Sequence, residues 1–143
     1  MVEDMPKFQE IENPIRPFVS KRVITVSPNT SVKEAAKKMV EFNISCLLVV
    51  DDDEIVGLMT NDDLKKRVVA EGLEPSVEVK KIMTEDIITA DIGIPVRDAL
   101  EIMANQNIKH LPVEEDNEIV GMLTFSDLID IQKQKLETYI SRE

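Results

Sequence analysis

Apolar residues along this chain fall into two spacings that alternate in a fixed order, and the order occurs twice. Val23, Ile24, Thr25 and Val26 form a short strand-like run, closed by the turn composition of Ser27, Pro28 and Asn29. The spacing then becomes i, i+3, i+4, i+7, i+8. Val32, Ala35, Ala36, Met39 and Val40 line one face of a helix from about Ser31 to Phe42, with Asn43 as a left-handed stop. The apolar run Ile44 to Val50 suits a buried strand, Asp51, Asp52 and Asp53 a tight solvated turn, and Ile55 to Met59 the returning strand of a hairpin. A second helix is expected from Thr60 or Asn61, turning Leu64, Val68 and Val69 to the core before Gly72 ends it.

Sixty-four residues later the order returns without a gap: Val23 to Leu64 matches Ile87 to Leu128, with identity at 17 of 42 positions. The second copy predicts a strand at Ile87 to Ala90, a helix at Pro95 to Asn105 and strands at Ile108 to Val113 and Ile119 to Leu123. Glu114 to Asn117 is the turn between those strands, and a last helix starts near Phe125. Val96, Ala99, Leu100 and Met103 repeat the apolar face. Ser31 with Glu34 reads as a capping box, and Pro95 suits a first helical position. A weaker echo lies upstream, where Phe18, Val19 and Ser20 align with Ile82, Met83 and Thr84. Such self-similarity means one supersecondary unit used twice.

These signals divide the chain into an irregular segment 1–17 containing three prolines, a first unit 18–72, a connector 73–81, a second unit 82–131 and a helical extension 132–143. Ile129, Leu136, Tyr139 and Ile140 suggest that the last helix continues into that extension with one apolar stripe, suited to its own body or a sister chain. The fold class is α+β. A unit of about 60 residues would bury only roughly 60% of its unfolded surface, so each half is expected to need the other.

Charge narrows the partners. Seventeen basic against 28 acidic residues leave a net charge of −11, which repels polyanions and argues against nucleic acid, though not against one mononucleotide. The single Cys46 lies in an apolar run and reads as a buried, inert thiol in a reducing compartment. No apolar stretch approaches the ~18 residues of a membrane span, and the first residues carry no leader pattern, so the expectation is a cytoplasmic protein away from the membrane.

Chemistry concentrates at the second strand-to-helix junction of each copy. Gly57-Leu-Met-Thr60-Asn-Asp62-Asp63-Leu64 faces Gly121-Met-Leu-Thr124-Phe-Ser126-Asp127-Leu128, with a hydroxyl and a carboxylate three residues apart in both. One reading is a helix cap, the hydroxyl accepting a first-turn N–H and the acid favouring the positive helix end. The other is a ligand site. Free N–H groups at a helix start attract an anion, and an ionised carboxylate, which only accepts, matches two vicinal hydroxyls. A ribose 5′-phosphate offers both. Gly57 and Gly121 would let a ligand approach the backbone, and a strand bulge explains them equally well.

Paired strand-helix-strand-strand-helix units, each ending in Gly-x-x-Thr-x-x-Asp, with Ile108-Lys-His-Leu-Pro-Val113 in the second, resemble tandem cystathionine-β-synthase (CBS) domains over about Phe18 to Ile131. The resemblance implies two units related by a pseudo-twofold axis and packed through their sheets, with two clefts of the kind that often bind adenosine-containing ligands. It also implies a homodimer, commonly disc-like. By matched position, Asp127 and Asp63 would hold ribose hydroxyls, Thr124 and Thr60 would reach the ribose or phosphate, and Lys109 and His110 fall where phosphate-contacting basic residues often stand. Thr30 is nominated beside the base in the cleft of Asp127. A helix cap, a solvated charge and a packing role remain the plain alternatives for Thr30, Lys109 and His110.

The copies differ where it matters. Lys109, His110 and Ser126 of the second become Ser45, Cys46 and Asp62 of the first, which removes both candidate cations and adds an acid beside Asp63. A phosphate should then prefer the Asp127 cleft. The first cleft suits an uncharged or cationic adenosine ligand such as S-adenosylmethionine. The reading is a non-catalytic regulatory module binding AMP, ADP or ATP, with no required cofactor and output through a separate effector protein or self-association. An adaptor that dimerises without a small ligand is the alternative. One His and one Cys at matched positions, no metal-ligand spacing and no phosphate-cradling glycine loop leave an enzyme little to work with.

Overall fold

The computed structural model describes residues 11–129. The expected C-terminal extension 132–143, with Leu136, Tyr139 and Ile140 of the expected apolar stripe, lies outside these residues; Ile129, the first of that stripe, is exposed. The described residues form two compact units, one from Val23–Ile87 and the other from residues 11–22 together with 88–129.

In the first copy, β1 (Thr25–Val26), α1 (Val32–Phe42), β2 (Cys46–Asp51) and β3 (Glu54–Thr60) precede α2 (Asn61–Asp63), which runs into a π-helical turn over Leu64–Val69. The second copy gives β4 (Ala90–Asp91), α3 (Val96–Gln106), β5 (His110–Glu115) and β6 (Glu118–Thr124), with residues 125–129 helical. Each copy builds a three-stranded sheet in which the first strand is parallel to the second and the second antiparallel to the third. The architecture is α+β, as the two periodicities imply. β1 and β4 are shorter than the runs from Val23 and Ile87 suggest.

Local chemistry sets the element ends. Ser31 accepts the Glu34 N–H as N-cap, and Asn43 and Asn107 close α1 and α3 with positive φ. Pro95 is itself the N-cap rather than the first helical residue. Both hairpins turn on two consecutive residues with positive φ, Asp52–Asp53 and Asp116–Asn117, where short acceptor side chains tolerate the left-handed region.

The cores match position for position. Val26, Val32, Ala35, Met39, Leu47, Val49 and Met59 in one unit correspond to Ala90, Val96, Ala99, Met103, Leu111, Val113 and Leu123 in the other. Two residues expected to face inward do not. Val40 is 82% and Val69 76% exposed. Each lies one residue beyond a packed position, Met39 and Val68, and so roughly a quarter-turn past the buried edge of its helix.

The segments upstream of each copy complete the opposite copy's unit. Asn13 accepts from Val96 N (2.9 Å) and Ile15 donates to Ile94 O (2.9 Å), while Val77 accepts from Val32 N (2.8 Å) and Val79 donates to Thr30 O (2.8 Å). Ile15 and Val79 are fully buried in the two cores. Further along, Ser20 and Met122 exchange backbone hydrogen bonds (2.9 Å each way), and so do Thr84 and Leu58 (2.8 and 2.9 Å). The repeat therefore reaches back to Asn13 and Val77. Among the described residues no helix is long and apolar enough to cross a membrane.

Candidate functional site

The site residues sit where β3 and β6 end and a helix begins. Register places Cys46 opposite Thr60 and His110 opposite Thr124, so the start of one hairpin strand lies beside the end of the other. A backbone hydrogen bond tightens each junction, from Asn61 N to Ser45 O (3.2 Å) and from Phe125 N to Lys109 O (2.9 Å). Lys109, His110, Thr124, Ser126 and Asp127 are thus gathered in one unit, and Ser45, Cys46, Thr60, Asp62 and Asp63 in the other. Lys109 and Ser126 are exposed, and His110, Thr124 and Asp127 half-buried. Thr30 belongs to the unit of Asp63, where its carbonyl accepts from Val79 N.

The two copies of the motif are in different states. Thr60 and Asp63 form a complete capping box, with Asp63 N donating to Thr60 Oγ1 (3.3 Å) and Thr60 N to Asp63 Oδ2 (2.9 Å). Thr84 Oγ1 also donates to Asp63, 3.1 Å from Oδ1, and Arg67 Nε lies 3.7 Å from the same oxygen. Asp63 is accordingly 6% exposed, a buried charge whose acceptors are filled. In the second copy only half of the box is made, from Asp127 N to Thr124 Oγ1 (3.1 Å). No described residue donates a hydrogen bond to the Asp127 carboxylate. The capping box is thus complete around Asp63, with Thr84 and Arg67 added to it, whereas the Asp127 carboxylate receives no donor from a described residue.

Two expectations change in their reasons. Asp62 is exposed and lies near Lys65 (3.5 Å) and Lys66 (3.8 Å), which offset its charge, so repulsion by Asp62 is a weaker reason to disfavour a phosphate than the burial of Asp63. The glycines flank the strand bulge that was one of their expected causes, since Val49 pairs with Gly57 but Val50 with Ile55, and Val113 with Gly121 but Glu114 with Ile119, and they also make room for the chain itself. A Cβ on Gly57 would meet the Met83 side chain, and one on Gly121 would meet Val19 Cγ1 and Ser20 O. Both sit one residue from the cross-paired Leu58 and Met122, where the upstream segment lies against the strand. Thr84 and Arg67 escaped the sequence reading. Thr84 was visible only as part of the upstream echo, and no pattern marks Arg67.

Cys46 is buried, its thiol against Leu47 O (3.9 Å). Burial first, and the Asp63 charge second, push its pKa well above the ordinary thiol value. A thiol-specific disulfide reagent at pH 8 should therefore modify the folded protein on the order of a hundredfold more slowly than the denatured chain. Equal rates, followed by absorbance, would place the sulfur in contact with solvent.

Comparison with known proteins accords with this geometry. The CBS domain profile matches residues 15–70 and 79–133. A protein of Bacillus subtilis, the CBS domain-containing protein YhcV, is 29% identical over 114 residues, 80% of this chain and 81% of its own length. Other curated relatives are longer, and the chain spans as little as 19% of one of them. Among solved structures, an uncharacterized conserved protein from Pyrococcus horikoshii superposes with a TM-score of 0.81 at 39% identity, covering 85% of this chain and 92% of that one. The CBS domain pair of protein MJ0100, solved with 5′-methylthioadenosine and S-adenosyl-L-methionine, gives a TM-score of 0.76 at 32% identity over 85% of this chain and 97% of that one. Two tandem matches across the repeated segments, with solved relatives covering most of the chain, make this protein a member of the CBS-domain family, carrying a pair of CBS domains.

Proposed function

We propose that this CBS pair is a non-catalytic regulatory module that binds an adenosine-containing ligand at the junction around Asp127, with an adenine nucleotide as the preferred form. The observation that carries the reading is the Asp127 carboxylate, half-buried at a strand-to-helix turn and accepting no hydrogen bond from any described residue. An ionised carboxylate cannot donate, so the partner that satisfies it brings donors, and the vicinal hydroxyls of a ribose bring two at matching separation. Lys109, just before β5, supplies positive charge for a phosphate, and His110, the first residue of β5, adds a ring nitrogen next to that turn. Thr124 and Ser126 add hydroxyls.

S-adenosylmethionine is the second reading, favoured by the MJ0100 pair that was solved with it. It shares the ribose but lacks the phosphate, so Lys109 separates the two. Ligand that binds the folded state raises the melting temperature by mass action. In a thermal-shift series with AMP, ADP, ATP and S-adenosylmethionine at 1 mM, the nucleotides should raise Tm by several degrees, and Lys109→Ala should reduce their effect while leaving that of S-adenosylmethionine intact. Stabilisation by S-adenosylmethionine alone selects the second reading. No stabilisation by any of the four removes both and leaves an adaptor that works through protein contacts. Regulation by the bound ligand further requires different affinities for two arrangements of the module or of its assembly, here a homodimer signalling to a separate effector.

A further inference from the structure

The two copies end in the same acid, yet Asp63 is enclosed and Asp127 is open, and the shared motif does not contain the difference. It lies at position 84. Thr84 follows Ser20 by 64 residues, and the two occupy equivalent places, exchanging backbone hydrogen bonds with Leu58 and Met122 respectively. From that common backbone position the Thr84 hydroxyl donates to Asp63, 3.1 Å from Oδ1 and 3.4 Å from Oδ2. Ser20 instead accepts the Arg22 N–H at 3.3 Å and gives nothing to Asp127. A β-branched threonine has fewer side-chain rotamers than a serine.

We infer that Thr84 decides which copy takes ligand: its hydroxyl stands on Asp63 in the place of a sugar hydroxyl, and the first site is filled from within. A carboxylate has about four lone-pair positions. Asp63 already receives Thr60 N at 2.9 Å, Thr60 Oγ1 at 3.4 Å and Thr84 Oγ1, with Arg67 Nε 3.7 Å away. An arriving diol must displace Thr84, exchanging one hydroxyl for another with little net gain. The segment cannot easily swing aside, because Arg67 Nη1 donates to Ile82 O (3.2 Å) and Met83 O (3.0 Å) just before it. This inference rests on the proposed role of the motif carboxylate as a sugar acceptor and adds the residue that selects between its two copies.

The test is isothermal titration calorimetry with adenosine, which carries the diol without a phosphate, so that surface charge near Asp62 has little influence. Wild-type protein should bind one adenosine per chain and lose it in Asp127→Ala. In the Asp127→Ala background, the near-isosteric Thr84→Val should create a site at least about tenfold tighter than the background, the lower end of what one hydrogen bond to a charged group supplies. 2′,3′-Dideoxyadenosine should not bind there. Two adenosines per wild-type chain overturn the inference, and that measurement needs no variant. A Thr84→Val, Asp127→Ala protein that melts cooperatively but gains no site also overturns it, while the Asp127 reading stands if wild-type protein binds. Wild-type protein that binds neither adenosine nor any nucleotide overturns both.

Discussion

Gly121→Ala should lower the melting temperature by roughly 10 °C, whereas Gly57→Ala, the same change at the matched position, should lower it by only about a third as much. The difference follows from what the new methyl meets. At Gly121 it falls 2.5 Å from Ser20 O and 3.3 Å from Ser20 C, as well as against Val19 Cγ1. Those Ser20 atoms are main chain, held by two 2.9 Å hydrogen bonds with Met122, so relief means separating the upstream segment from β6. That separation would also loosen Ile15, a fully buried member of the same core. At Gly57 the obstacle is the Met83 side chain, whose Cγ lies 2.8 Å from the new Cβ. An unbranched thioether re-packs at small cost. Overpacking of this kind costs about 1–3 kcal/mol, with Gly121→Ala at the upper end and Gly57→Ala at the lower. Adding Met83→Ala should restore part of the loss in Gly57→Ala, and adding Val19→Ala should restore little in Gly121→Ala. Equal melting temperatures for the two glycine variants would mean that the upstream segments do not lie against the strands.

Those segments also mark the boundary of what the sequence reveals. The stripe Val32, Ala35, Met39 and its repeat Val96, Ala99, Met103 were legible because burial on a helix recurs at a fixed spacing. The hairpins were legible because acids and asparagine accept the left-handed backbone that Asp52, Asp53, Asp116 and Asn117 adopt. The exchange of segments 13–20 and 77–84 between copies was not. It is made by backbone groups over long sequence separations, and a backbone hydrogen bond has no side-chain signature. Ile15 is a single apolar residue between prolines and charges, and Val77 and Val79 alternate with charges over too few residues to set a period. At the glycines the bulge was legible and is present beside both, whereas the close approach of the upstream segment was not, because a sequence does not say which part of the chain comes near. The acids illustrate the same limit at the site. Gly-x-x-Thr-x-x-Asp is shared, yet Asp63 is closed by Thr84 and Arg67, which lie outside the motif and align with Ser20 and Ile131.

That contrast makes the paired alanine substitutions informative in opposite ways. Asp63→Ala should cost about 2–3 kcal/mol of folding stability, because it leaves the half-buried Thr60 N–H, the Thr84 hydroxyl and the Arg67 guanidinium without their shared acceptor. Asp127→Ala should cost under about 1 kcal/mol, chiefly the loss of an acid in the first helical turn. Its cap survives, since the bond to Thr124 Oγ1 comes from the backbone N–H of residue 127, which alanine keeps. Ligand binding should respond in the reverse order. Asp127→Ala removes the acceptor of two sugar hydroxyls and should weaken adenine nucleotide binding on the order of a hundredfold, the equivalent of about 2.7 kcal/mol. Asp63→Ala should leave the affinity of the remaining folded protein within about threefold of wild type. Urea denaturation and calorimetry on the same two proteins separate these outcomes. If Asp63→Ala is as stable as Asp127→Ala, the Thr60–Asp63–Thr84 network holds nothing in place. If the two lose nucleotide equally, both copies bind it, and the difference in burial between the acids does not govern recognition.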